Sequence, residues 1–407
     1  MRALSMSLDQ ATRVRVVDWL TVLLAVSLPW STSATGILSV LWLAAVVFAL
    51  TREDRGVLLT PAGGLPVLLV VFGVAGMLWA DVSLFERWGG VESFLKLLFI
   101  PLLLVHFRRS GRGMHVFAAY ALSCIALLLA SYAITLIGLQ ITQDPGVPVK
   151  NAATQSGEFA TCIAGFAYFA RESASQQRWA WAAGAVVLML AMFANMTFIA
   201  TGRTALTVLV LLLVFFAFLH LSWRGIALAS AAAVVLLVTA WVSSPYLRMR
   251  TETIWTDLQA TEATGERTSS GERMEFAKRS LEFIREAPVV GHGTGTIHAL
   301  FERAAAGKKG VAGVAAANPH NQTFAVGIQL GLIGIVVLWA TWIAHLLLFR
   351  GGGLVAWIGL VVVVQNIVGS AFNSHLFDFL QGWTYVVGVG VAGGMMLNVR
   401  ASRGTRP

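Results

Sequence analysis

Arg203, Arg273 and His320 are the residues of this chain whose types and settings suit chemistry. A guanidinium matches phosphate oxygens bidentately and keeps its charge at any physiological pH, so two arginines facing one place read as a binding site for a lipid-linked phosphate. An imidazole changes charge nearest neutral pH, which suits it to accept a proton from a hydroxyl. Arg203 stands in ATGRTA, a very short link between two apolar runs. Arg273 stands in the first turn of SSGERMEFAKRSLEFIREAP, and His320 in NPHNQTF at the start of a further apolar run.

Each residue also has a plainer reading. A lone arginine at a membrane boundary snorkels, and an isolated histidine is commonly a hydrogen-bonded structural group. The Arg273 segment reads as a helix, with Ser269 and Glu272 at capping-box spacing and Pro288 as its stop. At about 100° per residue, Phe276, Ala277, Leu281, Ile284 and Ala287 form an apolar arc with Arg273 in its middle, so the guanidinium is expected to point at protein. A charge there needs an anion: a carboxylate such as Asp378, or a phosphate at the helix N-terminus. Asp378, at the entrance of the last apolar run, is either the partner of an arginine or an orienting group. Arg87 and Lys96 are candidates to strengthen the same positive field.

Other signals carry less. GHGTGT lacks the Lys-Ser/Thr ending of a phosphate-binding P-loop and follows no strand signal, so it reads as a turn. His292, His298 and His320 lack zinc-ligand spacing, and no metal or cofactor is expected. The small-residue run AAAGKKGVAGVAAA before His320 reads as a flexible lid.

The elements that must position these residues follow from composition. The 407 residues are 57% hydrophobic and 12% charged, with net charge +9 and a mean hydropathy of +0.75. Soluble domains are ~25% charged, so the chain reads as an all-α polytopic membrane protein. Windows of the roughly 17–25 apolar residues that a bilayer requires recur about twelve times. They fall at Val16–Trp30, Thr35–Leu50, Gly64–Ala80, Phe94–Phe107, Val116–Leu139, Glu158–Ala170, Trp179–Ala200, Thr204–Leu221, Gly225–Val242, Gln322–Phe349, Leu354–Ser370 and Phe377–Asn398.

Arginines cluster in alternate links: Arg2, Arg13 and Arg15; Arg52 and Arg55; Arg108, Arg109 and Arg112; Arg171 and Arg178; Arg224; Arg350; and Arg400, Arg403 and Arg406. By the positive-inside rule those links and both termini are cytoplasmic, and the basic excess records orientation instead of a nucleic-acid surface. The organisation expected is helices one to nine over 1–242, a large helical loop on the opposite face over 243–321, and helices ten to twelve with a short tail over 322–407. Function concentrates in long loops, and this one far exceeds a typical connection. No removable signal peptide, internal repeat or appended soluble domain is expected. Cys124 and Cys162 lie inside apolar runs, which disfavours a disulfide framework.

Arg203 in a GRT turn, Arg273 with PVVGHGTGT beyond the far end of its helix, and His320-Asn321 before a helix together resemble the O-antigen ligase family, which shares its architecture with O-antigen polymerases. The family often has Leu four residues after the histidine, where this chain has Phe324. The resemblance implies a GT-C-like glycosyltransferase of the Gram-negative inner membrane, working on the periplasmic face without metal or nucleotide. It implies transfer of glycan from undecaprenyl pyrophosphate to a sugar hydroxyl of lipid A-core, with inversion. Carried over, Arg203 and Arg273 bind the donor diphosphate and His320 acts on the acceptor; the match for Asp378 is looser. Rival readings are an O-antigen polymerase or protein O-oligosaccharyltransferase using the same donor, and a transporter of lipid-linked glycan. A transporter should carry paired broken helices and midplane ionisable groups, whereas the ionisable residues here crowd one face.

Overall fold

The computed structural model describes residues 10–50, 55–243, 249, 256, 257, 261 and 264–404, and among them every regular element is helical. Arg2, Arg52 and Arg406, and most of the stretch from 244 to 263, lie outside the described residues. The helices in chain order are α1 (Gln10–Ser27), α2 (Thr32–Ala49), α3 (Arg55–Leu58), α4 (Pro61–Ala75), α5 (Leu84–Leu95), α6 (Phe99–Arg109), α7 (Gly113–Leu136) and α8 (Ala152–Ser175). There follow α9 (Trp179–Phe198), α10 (Arg203–His220), α11 (Trp223–Ser243), α12 (Ser269–Glu286), α13 (Ile297–Ala305), α14 (Gln322–Leu348), α15 (Leu354–Ser370) and α16 (Phe379–Gly404).

Each apolar window expected from the sequence falls on a helix. Among the described residues eight stretches are long and apolar enough to cross a membrane, carried by α2, α4, α5 with α6, α7, α9, α10, α14 and α16. The other expected spans, in α1, α8, α11 and α15, are helical as well. Phe48, Leu78 and Leu136 face outward, as spans that meet hydrocarbon require. α16 is the hub: it packs along α6 and against α14 and α15, with Tyr385, Val386, Val389 and Val391 fully buried. A second cluster, built on Phe159, Met192, Met196 and Leu209, joins α7 to α10, and free Cys124 and Cys162 lie in it.

Basic side chains close helix ends remote from α12. Arg13 donates to the Phe48 carbonyl (3.1 Å), Arg171 to His220 (2.8 Å) and Arg400 to Leu348 (2.9 Å). These are carbonyls that a helix leaves without internal partners. The clusters that set the expected orientation therefore also finish the helices.

α14 is not the continuous span its hydropathy suggests. Gly331 (φ 63°, ψ −159°) breaks it within the apolar run. Groups freed by such a break cost several kcal/mol each in hydrocarbon unless paired. The strap of turns after α12 pairs them. His292 and Gly293 N–H donate to the Ile328 and Gln329 carbonyls (2.9 Å each), while Leu332 and Ile333 N–H donate to the Pro288 and Val289 carbonyls (2.8 and 3.3 Å). Gly293 N–H and Gly291 can approach this closely because both have positive φ, and a Cβ on Gly291 would sit 2.5–2.6 Å from the Gln329 and Gly331 backbone. Thr294 adds two bonds to α4 and the turn after it, to the carbonyls of Gly73 (2.6 Å) and Gly76 (3.1 Å). GHGTGT is thus a turn, as expected, and it pins the outer segment into the helical domain.

Candidate active site

α12 and the chain that follows it carry the outer part of the site. The helix starts at Ser269, but its N-cap is Thr268, one residue earlier than the capping-box spacing suggested: Thr268 Oγ1 accepts from Gly271 N–H (3.1 Å), and Glu272 pairs instead with Arg267. The buried face is Gly271, Phe276, Arg279, Ser280 and Phe283. That is a correction to the expected arc. Leu281, expected inside, is 44% exposed, and Arg273 stands exposed at the edge of the buried face instead of at its middle.

The arginine that does point into protein is Arg279, 2% exposed, which lies outside the expected apolar arc. It donates to Glu275 Oε1 (2.8 Å), to the Val314 carbonyl (3.4 Å) and to the Ala312 carbonyl. Those carbonyls explain the rotation, because a fork of N–H donors can be buried only where acceptors meet it. They also correct the expected lid. The run before His320 is tied down by Arg279, by Val311 N–H on the Gly265 carbonyl (2.9 Å), and by burial of Val311 and Ala316.

Arg273 has no hydrogen bond or ion pair among the described residues, so the alternative in which Asp378 neutralises it does not hold. Partial burial, and then the nearby positive charge of Arg203, push its guanidinium below the ordinary arginine value. The two arginines are therefore close enough to repel. Arg203 is the first residue of α10, exposed, and its guanidinium likewise has no partner among the described residues. Its position follows from the preceding glycine: a Cβ on Gly202 would lie 2.9 Å from Ser156 Cβ, and Ser156 Oγ donates to the Ala200 carbonyl, seating the GRT turn on α8. Arg87 does not join this field. Its guanidinium is spent on the carbonyls of Val82 and Met77 (2.9 Å each).

His320 meets the same region through α12, since its ring stacks on Phe276, one turn from Arg273, with centroids 6.2 Å apart and planes at 19°. Its backbone is left-handed (φ 54°), uncommon outside glycine, and is held by its own N–H on Asn318 Oδ1 (2.9 Å). Nδ1 lies 3.0 Å from Asn373 Oδ1, in the link between α15 and α16. Asn373 Nδ2 donates to Asp378 Oδ2 (2.6 Å). Lys96, buried, ties the end of that link with bonds to the Phe377 and Asp378 carbonyls (2.9 Å each). Burial raises the Asp378 carboxyl to about 6, against the pull of Lys96. Asp378 thus stands behind His320 through an amide and touches neither arginine.

The sequence reading missed Asn318, Asn373 and Glu158. The asparagines had a faint signal, two polar clusters (NPHN and FNSH) flanking apolar runs. Glu158 had a clearer one, an acid inside an apolar helix. It is 3% exposed, lines a cavity of about 20 Å³ with Tyr120, Asn366 and His375, and neither carboxylate oxygen has a hydrogen-bond partner among the described residues. It lies within one turn of Ser156, which seats Arg203. No group of three or more His, Cys, Asp or Glu placed to hold a metal occurs among the described residues.

Two guanidiniums with no anion among the described residues, and an imidazole held by an amide and stacked on the helix that carries one of them, can bind a diphosphate and deprotonate or orient a hydroxyl. Residues 184–339 match the family model described as O-antigen ligase, which shows the resemblance drawn from the sequence over the stretch that holds Arg203, Arg273 and His320. Asp378 and Asn373 lie beyond it. A comparison with curated proteins gives no match.

Proposed function

We propose that the chain is an O-antigen ligase: an inner-membrane glycosyltransferase that moves glycan from undecaprenyl pyrophosphate to a sugar hydroxyl of lipid A-core on the periplasmic face. The observation that carries this reading is that Arg203 and Arg273, from separate elements, both stand exposed with no anion among the described residues, while the charge of Arg203 reaches Arg273. Like charges are kept together at such a cost where a ligand neutralises them.

In the reaction, the hydroxyl oxygen attacks the anomeric carbon as the bond from that carbon to the diphosphate oxygen breaks. The electron pair leaves with undecaprenyl pyrophosphate, whose growing charge Arg203 and Arg273 neutralise. His320 takes the hydroxyl proton. With the diphosphate held on one side, attack from the other face inverts the anomeric centre. Both substrates are lipids, so they enter sideways between helices, and α12 with its strap fixes the distance between diphosphate and imidazole.

Purified protein in proteoliposomes, given undecaprenyl-pyrophosphate glycan and lipid A-core, tests the reading. Glycan should appear on lipid A-core with wild type and fall sharply in Arg203→Ala, Arg273→Ala and His320→Ala. Lengthening of the donor glycan instead would identify a polymerase, and movement of the donor across the bilayer without transfer would identify a transporter.

A further inference from the structure

We propose that Asn373 is a positioning residue that selects the tautomer of His320, so that Nε2 meets the acceptor hydroxyl as a bare proton acceptor. The inference rests on the reading above and decides between the two roles an imidazole there can take, base or hydrogen-bond donor.

The backbone N–H of His320 can only donate, and it meets Asn318 Oδ1 (2.9 Å). Ser374 Oγ donates to the same oxygen (2.7 Å). Asn318 therefore turns its Nδ2 toward Asn373, where it meets Oδ1 at 3.1 Å. On the far side, Asn373 Nδ2 faces Asp378 Oδ2 at 2.6 Å, and an ionised carboxylate only accepts. Both neighbours thus demand the same amide orientation. Oδ1 of Asn373 is an acceptor pointing at His320 Nδ1 (3.0 Å), so Nδ1 carries the hydrogen. In a neutral imidazole Nε2 then holds the lone pair, and it has no hydrogen-bond partner among the described residues. Flipping the Asn373 amide would set oxygen against oxygen at Asp378 and N–H against N–H at Asn318.

An amide in this place also differs from a carboxylate. It orients the ring but cannot take its proton, so the hydroxyl proton stays on His320 until it leaves by the open Nε2 side. The sequence offers only the two polar clusters and no sign that they meet, because the parts of the device, Asn318, Asn373 and Asp378, come from two links that only the fold brings together.

The test uses the full-length protein with undecaprenyl-pyrophosphate glycan and lipid A-core. Asn373→Ala should lower kcat by about 10²-fold or more, the scale of a positioned general base, while KM for the donor, held by the arginines, stays within about twofold. Added to His320→Ala, the same change should cost nothing further. A double variant well below His320→Ala, or Asn373→Ala with wild-type kcat, overturns the proposal. Nitrogen NMR of histidine-labelled wild type, with His320 assigned by its loss in His320→Ala, needs no folded Asn373 variant: protonated Nδ1 and bare Nε2 support the proposal, and the opposite tautomer overturns it. If wild type transfers no glycan, the functional reading fails, and the tautomer measurement still decides this one.

Discussion

Arg273 and Arg279 lie on the same helix and have opposite surroundings. Arg279 is buried and spends its donors on Glu275 and on the carbonyls of Ala312 and Val314. Arg273 stands at the rim, repelled by Arg203, with no acceptor among the described residues. The first arginine builds the molecule, holding against α12 the chain that delivers His320. The second gains nothing for the fold that the described residues reveal. A buried, fully paired charge is a poor indicator of function, whereas an unpaired one beside a like charge marks where a ligand belongs.

Substitutions separate the two. The largest effect is expected from Arg279→Met, which strands the Glu275 carboxylate and two carbonyls. Breaking a buried pair costs about 3–5 kcal/mol, so thermal unfolding in detergent should come at a markedly lower temperature and transfer should be lost with it. Arg273→Ala should leave unfolding unchanged and reduce transfer about 10²–10³-fold, the cost of removing one donor to a developing anion. If both variants unfold early, the contrast is false and Arg273 is structural too. If Arg273→Ala unfolds normally and transfers normally, the diphosphate site lies elsewhere.

The same contrast explains what could be read from the sequence. Every apolar window became a helix because hydrocarbon admits little else, and Arg203, Arg273 and His320 were legible because charged residues stood where no orientation rule placed them. What the helical wheel missed was the face of α12. Periodicity ranks Arg279 as solvent-facing, and only the loop carbonyls of Ala312 and Val314, distant in sequence, make its burial favourable. The break in α14 was equally hidden, since QLGLIG is as apolar as its neighbours and the strap that pairs it comes from the far side of the large loop. Gly331→Ala examines that part. Its backbone region is open to glycine, and a Cβ would collide with the Val289 carbonyl. A destabilisation of about 1–3 kcal/mol is expected, read as a lower unfolding temperature, with the residual transfer of the folded fraction close to wild type. Unfolding as in wild type would mean that the strap does not hold α14 broken.

Asp378 stands between the two arginines in kind, because its carboxylate has one hydrogen-bond partner among the described residues, Asn373, and acts on chemistry through it. Burial raises its carboxyl from 3.8 to about 6, so it ionises within the range where an enzyme can be assayed. The sign runs two ways. A folded value above the unfolded one means that the neutral form is favoured by folding, so the stability contributed by Asp378 is fully present below pH 3.8 and is lost as pH rises through about 6. Transfer should move oppositely. Below about pH 6 Asp378 carries a proton and loosens its hold on the Asn373 N–H, leaving Asn318 alone to keep the amide oriented. Log rate against pH should then fall on the acid side through about pH 6, because Asp378 must be unprotonated to hold the amide firmly. Asp378→Asn should remove the Asp378 contribution to that slope at a lower plateau, while Arg273→Ala should lower the plateau and leave the slope alone. This is the smallest of the expected effects, and it places Asp378: an unchanged slope in Asp378→Asn would group it with Arg279 as scaffolding, whereas the shallower slope would tie it to the histidine.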